Sequence, residues 1–273
     1  MTLQTALLQG QKLLEDAGIS APRLTAEVLL AHAIGCQRSW LFAHSDEQLK
    51  EVWWIHYGRY LHQRLEGMPT QHITGVQEFF GRDFRVSPDV LIPRPETEHL
   101  IEAALKHSVS TILDIGTGSG AIAITLALET EARVTATDIS FAALKVAHSN
   151  SRGLAALVDF VQCDLGSALP DHTFNMVVSN PPYIAETDRA TLEKEVRDHE
   201  PSIALFAGIN GLAVYARLIP EAVRLLKPGG RLILELGFHS LDPVRAMLDS
   251  GWRDIEVIPD LAQVARVLSA TRL

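Results

Sequence analysis

Residues 112–124 read "ILDIGTGSGAIAI", an apolar strand-like run that enters a glycine loop and continues into a helix-like run. Gly116, Gly118 and Gly120 allow a sharp turn and let a ligand lie directly against the backbone. The N-terminus of the following helix offers unpaired N–H groups and the positive end of the helix dipole. This arrangement predicts a ligand-binding loop between a strand and a helix.

The same alternation of strands and helices continues along the chain. We predict strands at 111–115, 133–138, 158–163, 174–179 and 231–236, and helices at 119–129, 140–151 and 211–226. Strands that alternate with helices are typical of an α/β fold with a parallel sheet and right-handed crossovers. The last two apolar runs, 254–259 and 264–269, are too close together for another crossover helix, so we predict that they pair antiparallel.

Two regions precede this domain. Residues 1–73 place apolar side chains at helical spacing between turn signals, which predicts a bundle of four or five short helices. Residues 74–95 combine alternating and aromatic residues with Gly and Pro, which predicts a β-hairpin or an extended linker. The α/β domain then covers residues 96–273, and its first helix is predicted from about Glu98 to His107.

Composition argues against several classes of protein. The 273 residues carry a formal net charge of −9, which disfavours a general nucleic-acid-binding protein because phosphates attract basic surfaces. Cys36 and Cys163 fit neither a disulfide framework nor a zinc site, and the eleven histidines lack metal-ligand spacing, so we predict no metal. We predict neither a signal peptide nor a membrane span, and therefore expect a soluble, cytoplasmic protein.

Carboxylates at the ends of the predicted strands suggest which ligand the loop binds. Asp138 lies 22 residues after the first glycine of the loop, where nucleotide-binding sheets place the carboxylate that accepts ribose hydroxyls. The loop alone is ambiguous, because residues 116–121 also fit the dinucleotide fingerprint in its Gly/Ala form. Two details favour S-adenosylmethionine. Asp114 could bind the amino acid part of that cofactor, and Asp164 could accept the exocyclic amine of adenine beside Leu165.

The sequence Asn180-Pro181-Pro182-Tyr183 directly follows the fourth predicted strand. Ligands of open parallel sheets bind beyond the carboxyl ends of the strands. The prolines hold Asn180 extended and remove two N–H donors, leaving a stiff loop of acceptor oxygens with Tyr183 as an aromatic wall. Such a loop suits a planar –NH2 group, whose hydrogens the Asn180 side-chain oxygen and the Pro181 carbonyl could accept. Because such nitrogens are weak nucleophiles, catalysis would depend on positioning, with the proton leaving after attack.

Four segments carry a resemblance to a known family. "TGVQEFFGRDFRVSPDVLIPRPETE", "DIGTGSGAIAI", "VVSNPPYI" and "EPSIALFAGINGLAVYARLI" occur in this order behind a helical N-terminal part. This combination resembles the release factor glutamine N5-methyltransferases (the HemK/PrmC family), which are class I S-adenosylmethionine-dependent methyltransferases. The resemblance covers nearly the whole chain from about residue 68 and is looser over the helical part.

The resemblance implies a fold, a reaction and a partner. The fold would be a Rossmann-like class I methyltransferase sheet behind an N-terminal helical bundle that recognises the partner. S-adenosylmethionine would donate a methyl group to the glutamine side chain in the Gly-Gly-Gln loop of class 1 peptide-chain release factors. We expect a monomer that does not bind nucleic acid directly.

Specific residues acquire roles by their positions in these segments. Arg94, Glu96 and Glu98 would shape the entrance of the site, or would only begin a helix. The catalytic residues would be Asn180, Pro181 and Tyr183, and Pro182 would join them in holding the glutamine amide. The residues expected to hold the cofactor are Gly116, Thr117, Gly118, Ser119, Gly120, Asp138, Asp164, Leu165 and Asn180.

Three alternatives remain open at the level of sequence. A DNA or RNA methyltransferase that acts on exocyclic amino groups meets the same geometric demand at Asn180, although it needs a basic recognition surface. An NAD-dependent oxidoreductase would use the glycine loop and leave residues 180–183 unexplained. A non-catalytic binding module would leave both segments without a purpose.

Overall fold

The computed structural model describes residues 1–260 and 262–273, which fold into two compact units. The helical unit comprises Met1–Val76 together with Glu193–His199. The sheet unit comprises Gln77–Leu192 and Glu200–Leu273.

The helical unit begins with five helices, which agrees with the predicted bundle. Thr2 caps the first helix, since its hydroxyl accepts the Thr5 N–H at 3.2 Å. Tyr57 lies at the centre of the core and is completely buried. The helices are α1 (Leu3–Asp16), α2 (Pro22–Ile34), α3 (Arg38–Ala43), α4 (Glu51–Leu65) and α5 (Thr70–Thr74).

The predicted division at residue 73 differs from the structure, because the helical unit extends to Val76 and also includes residues 193–199. The added segment is held by an ion pair between Arg64 and Glu195 at 2.5 Å. The Arg64 side chain is only 7% exposed, and its other guanidinium nitrogen donates to the Met68 carbonyl. This pairing joins residues far apart in the sequence, so no local pattern could have indicated it.

A hairpin starts the sheet unit, as one of the two predicted options for residues 74–95. Its strands are β1 (Val76–Phe79) and β2 (Arg82–Arg85), and Gly81 turns between them with φ of +72°. The rings of Phe79 and Phe84 meet edge to face inside the core. A 3-10 turn at Pro95–Thr97 then leads into the first helix of the unit.

Seven strands form the main sheet in the order β5-β4-β3-β6-β7-β9-β8. The first five strands in this order are parallel, and β9 pairs antiparallel with both β7 and β8. The predicted mostly parallel sheet with an antiparallel end is therefore confirmed. The strands are β3 (Thr111–Ile115), β4 (Arg133–Asp138), β5 (Val158–Gln162), β6 (Phe174–Ser179), β7 (Leu226–Glu235), β8 (Trp252–Pro259) and β9 (Ala265–Arg272).

Helices cover the sheet and connect its strands. The longer ones follow the prediction closely, whereas several short ones near residue 200 and the one at 241–246 were not predicted, because four to six residues are too few for a periodic pattern. The helices of the sheet unit are α6 (Glu98–Leu105), α7 (Ala121–Glu129), α8 (Phe141–Gly153), α10 (Ser202–Leu205), α11 (Ala213–Leu225) and α12 (Leu241–Ala246), with a 3-10 turn at Glu186–Thr191, whereas α9 (Lys194–His199) belongs to the helical unit.

Several predicted boundaries differ by a few residues from the structure, and two of these differences have a local cause. Helix α7 begins at Ala121 after Gly120 at its N-cap, so Ser119 lies in the turn and not in the helix. Strand β7 begins at Leu226, five residues before the predicted start. The sequence Pro228-Gly229-Gly230 hides this start, since proline and glycine are depleted in strands.

The connection pattern places a crevice beside the centre of the sheet. From β3 the chain moves outward to β4 and β5, and then returns to β6 on the other side of β3. Ligands of open α/β sheets bind at such a switch point, beyond the carboxyl ends of the strands. The loops after β3 and β6 are neighbours because Asp114 pairs with Val178 in the parallel register.

Within residues 1–260 and 262–273, no helix combines the length and the apolar character that a membrane span requires.

Candidate active site

The three glycines after β3 have the predicted turn geometry, but their roles differ. Gly116, Gly118 and Gly120 have φ of +76°, +55° and +84°, a region that side chains avoid. A methyl group added at Gly116 or Gly118 would meet no atom within 4 Å, whereas one at Gly120 would approach Ile124 Cδ1 to 2.7 Å. The first two glycines therefore leave backbone open to a ligand, and the third allows the helix to pack closely.

A cavity of about 230 Å³ lies at the switch point. Its walls combine the residues that follow four neighbouring strands, namely Gly116 and Gly118 after β3, Asp138 at the end of β4, Asp164 and Leu165 after β5, and Asn180, Pro181 and Pro182 after β6. The structure therefore brings together most of the predicted cofactor and substrate residues.

The remaining loop residues lie elsewhere. Thr117 and Ser119 line a smaller adjoining cavity of about 50 Å³, and Gly120 lines neither cavity. Asn180 borders both cavities, so it is positioned between them.

Asp138 organises the glycine loop through its carboxylate. One carboxylate oxygen accepts the Gly118 N–H at 2.9 Å, and the other accepts the Ser140 N–H at 2.8 Å. Burial raises the pKa of Asp138, and these backbone N–H groups oppose the rise. Because each carboxylate oxygen has two lone pairs, both oxygens can still accept a hydroxyl group, as ribose recognition would require.

Asp114 is completely buried just before the loop. Neither carboxylate oxygen has a partner of good hydrogen-bond geometry, although the Thr117 hydroxyl and the Ala123 N–H lie near enough to oppose the shift in its pKa. Burial raises the pKa of Asp114 to about 7. Asp114 lines neither cavity, so it places a buried carboxyl group before the loop without being exposed to a ligand itself.

Asp164 and Leu165 lie on the opposite wall, after β5. Asp164 forms an ion pair with Arg217 of α11 at 2.5 Å, and both side chains are about half exposed. Arg217 lines the same cavity and was not predicted, since arginines on amphipathic helices normally face solvent. Within the described residues, no donor reaches the other Asp164 carboxylate oxygen, which could accept an amine.

Asn180 is positioned by a hydrogen bond of the preceding residue and by one of its own side chain. The preceding Ser179 hydroxyl donates to the Ile115 carbonyl at 2.7 Å, which ties the end of β6 to the end of β3. The Asn180 side-chain nitrogen donates to the Thr97 hydroxyl at 3.1 Å. Thr97 lies inside the "PRPETE" segment that the sequence singled out only for its charges.

Tyr183 does not line either cavity. Its ring packs into the apolar cluster on the α11 side of the sheet, where a methyl group at Gly237 would approach the ring to 2.8 Å. Burial raises the pKa of its hydroxyl, so the phenol stays neutral. The structure therefore does not place Tyr183 at the cavity with Asn180 and the two prolines.

The three charged residues predicted at the entrance differ in their contacts and exposure. Arg94 pairs closely with Glu200, which is 1% exposed and also accepts the Ile92 N–H at 3.1 Å. Glu98 accepts the Phe80 N–H at 2.8 Å and thereby closes the hairpin, while Glu96 is exposed. Glu200 lies more than one hundred residues from Ile92 and Arg94, so sequence reasoning missed it.

These features permit a definite chemistry. The open backbone at the glycine loop and the Asp138 carboxylate fit a nucleoside cofactor, and the buried Asp114 carboxylate before the loop suits a positively charged amino acid part. The prolines and Asn180 add acceptors on the adjoining wall, which suits a planar –NH2 group. A donor cofactor and an amide or amine nitrogen could therefore meet in one cavity.

Comparison with known proteins adds independent information. Residues 5–75 match the family model described as PrmC N-terminal domain, and residues 95–197 match the one described as Methyltransferase small domain. The chain is 44% identical to the release factor glutamine methyltransferase of Koribacter versatilis, over 98% of each chain. It is 42% identical to the protein of the same name from Moorella thermoacetica, over 100% of this chain and 99% of the relative.

Among solved structures, a methyltransferase from Pyrococcus furiosus superimposes with a TM-score of 0.56. It is 19% identical in sequence, and the match covers 78% of this chain and 98% of that chain. This likeness supports the fold.

Proposed function

Because the chain belongs to the release factor glutamine methyltransferase family, we propose that it transfers a methyl group from S-adenosylmethionine to a glutamine amide nitrogen of a peptide-chain release factor. We place that glutamine in the Gly-Gly-Gln loop of class 1 release factors. Translation termination would locate the enzyme in the cytoplasm.

A single observation carries this proposal. The cavity places Asn180, Pro181 and Pro182 on one wall and the glycine loop with Asp138 on the next. When bound, S-adenosylmethionine would supply an electrophilic methyl group and would leave as S-adenosylhomocysteine, and the amide proton would be lost after the transfer. The residues of this chain therefore need only to align two bound groups, and such alignment is worth on the order of 7–11 kcal/mol in favourable cases.

The cofactor residues have distinct roles in this proposal. Asp138 accepts the ribose hydroxyls while it holds the loop through the Gly118 N–H. Asp164, oriented by Arg217, accepts the exocyclic amine of adenine, and Leu165 lines that part of the cavity. Asp114 provides the buried negative charge before the loop.

Asn180 and Pro181 accept the two hydrogens of the glutamine amide. An Asn180 side-chain oxygen and a Pro181 carbonyl oxygen are neutral acceptors, so they orient the nitrogen without abstracting a proton beforehand. Preorganised dipoles of this kind stabilise the positive charge that develops on the nitrogen during attack.

The test uses radiolabelled S-adenosylmethionine with a purified class 1 release factor and with its Gln→Ala variant in the Gly-Gly-Gln loop. We expect label in the intact factor only, because the variant lacks the accepting nitrogen. Total nucleic acid in a parallel reaction tests the DNA or RNA alternative. Label in nucleic acid and in neither protein would contradict the proposal.

A further inference from the structure

The Asn180 side chain borders the cavity and contacts Thr97, and the buried carboxyl group of Glu235 lies near the Thr97 hydroxyl. We propose that Thr97 and Glu235 are positioning residues that turn the oxygen of the Asn180 amide toward the substrate nitrogen. This inference rests on the proposed function of Asn180 as an acceptor, and it adds the groups that enforce that role.

The need for such groups follows from the shape of the amide. Its oxygen and its NH2 group are nearly the same size, so packing alone cannot distinguish the two orientations. Only the oxygen can accept a hydrogen bond from a substrate –NH2 group. The NH2 group of Asn180 is itself a donor, so it would repel the substrate –NH2 group. A hydrogen-bond partner must therefore select the productive orientation.

Thr97 is the partner that contacts the Asn180 amide. The Asn180 nitrogen donates to the Thr97 hydroxyl oxygen at 3.1 Å. Thr97 is only 4% exposed, so water is poorly placed to replace the contact. Among hydrogen bonds within residues 1–260 and 262–273, none reaches the Asn180 side-chain oxygen, which stays available to a ligand.

A hydroxyl can donate or accept, so Thr97 alone does not set the direction. Glu235 at the end of β7 is 2% exposed, and the Thr97 hydroxyl lies close enough to lower the pKa of its carboxyl group. An ionised carboxylate can only accept, and one Glu235 carboxylate oxygen has no hydrogen-bond partner within the described residues, so Glu235 offers an acceptor to the single Thr97 hydrogen. The lone pairs of Thr97 then require the NH2 end of Asn180, and the amide oxygen takes the opposite side.

Several charged groups near Glu235 change the pKa of its carboxyl group. Burial and the neighbouring Glu96 raise the pKa of Glu235 to about 7, while Thr97, Arg266 and Arg94 oppose the rise. The Tyr183 and Tyr215 hydroxyls also lie near this carboxylate. Protonated Glu235 could donate to Thr97 and would no longer select one orientation of Asn180. We therefore expect kcat to fall as the pH drops below about 7.

The main test replaces Thr97→Val, which removes the hydroxyl at nearly constant shape. We expect kcat for release factor methylation to fall by about 10- to 100-fold, as in other small misplacements of reacting groups. The Kd for S-adenosylmethionine should stay within about threefold of wild type, because Thr97 orients the amide acceptor. Thr97→Ser restores the hydroxyl and should recover most of kcat.

A matched control is Thr125→Val in α7. Thr125 is also buried and its hydroxyl has no partner within the described part of the chain, so activity should not change. Wild-type kcat in Thr97→Val would overturn the proposal. A Thr97→Ser variant as slow as Thr97→Val would also overturn it, since the loss would then come from packing.

Glu235→Gln tests whether Glu235 sets the direction of the Thr97 hydroxyl. A glutamine can present either an oxygen or an NH2 group to Thr97, so both orientations of Asn180 become possible. We expect kcat of this variant to be lower than that of the wild type. We also expect that its kcat no longer falls as the pH drops below about 7. Unchanged kcat with the same decline would remove Glu235 from the proposal.

A readout that needs no substrate separates this inference from the proposed function. The side-chain NH2 resonance of Asn180, assigned by its loss in Asn180→Ala, should exchange slowly with solvent in the wild type and in Thr97→Ser. It should exchange faster in Thr97→Val. If wild-type enzyme leaves release factor unlabelled, the proposed function fails, while this resonance still tests the orientation. Equal exchange in wild type and Thr97→Val would overturn the orientation whatever the substrate.

Discussion

Gly118 and Gly120 have similar backbone angles and opposite surroundings. At Gly118 an added methyl group would enter open space at the cavity, and at Gly120 it would meet Ile124 and the Ala147 backbone. Both replacements also force alanine into a left-handed conformation, which costs about 1–2 kcal/mol. The consequences of the two substitutions should therefore separate binding from stability.

We predict that Gly118→Ala mainly weakens cofactor binding and that Gly120→Ala mainly lowers the melting temperature. Calorimetric titration with S-adenosylmethionine and thermal melts measure the two effects. Gly35→Ala is the control for backbone strain alone, because Gly35 has φ of +79° and no atom within 4 Å of an added methyl group. Equal melting temperatures for Gly120→Ala and Gly35→Ala would contradict the packing role of Gly120.

At the scale of elements, one buried carboxylate holds the segment between the hairpin and α6. Glu200 accepts the Ile92 N–H and pairs with Arg94, and Leu91 of that segment lines both cavities. The segment has no strand or helix hydrogen bonds between Val86 and Arg94, so it depends on such side-chain contacts for its position.

We predict that Glu200→Ala destabilises the protein by about 1–3 kcal/mol, because it leaves a buried N–H group and Arg94 without their acceptor. Hydrogen exchange at the Ile92 amide should accelerate, and the affinity for S-adenosylmethionine should fall. Glu200→Gln keeps an acceptor for Ile92 and should lose less stability. The exposed Glu131→Ala serves as the control, and an Ile92 amide as protected as in that control would contradict the prediction.

At the scale of the whole molecule, Asp114 makes stability depend on pH. Burial raises its pKa from 3.8 to about 7 in the folded protein. Between these values the folded state binds more protons than the unfolded state, so the free energy of unfolding falls as the pH rises. The loss of stability caused by Asp114 is complete above about pH 7 and absent below about pH 4.

We predict that Asp114→Asn gains stability relative to wild type as the pH rises from about 4 to about 7, by on the order of a few kcal/mol. Urea unfolding of the cofactor-free protein across this range measures the difference. Asp83→Asn, at an exposed position, should show no such trend. A difference that stays constant across the range would show that Asp114 ionises as easily in the folded state as in the unfolded state.

Much of the fold could be read from local patterns. Strands β3, β4 and β6 begin and end where the alternation of apolar runs and turns predicted, because each is a short buried run bounded by polar residues. The start of β7 and the short helices near residue 200 were missed, since Pro, Gly and single helical turns carry no periodic signal. The placement of residues 193–199 with the helical unit was likewise beyond local patterns.

The sequence by itself determined the glycine loop, the carboxylate at Asp138 and the polar end of β6 at Asn180, because each lies next to a recognisable strand. Only the tertiary structure decided which side chains support them. Thr97 lies 83 residues from Asn180, and Glu200 lies 106 residues from Arg94. Contacts at such separations arise from strand order and loop packing, which place distant segments side by side without leaving a trace in local spacing.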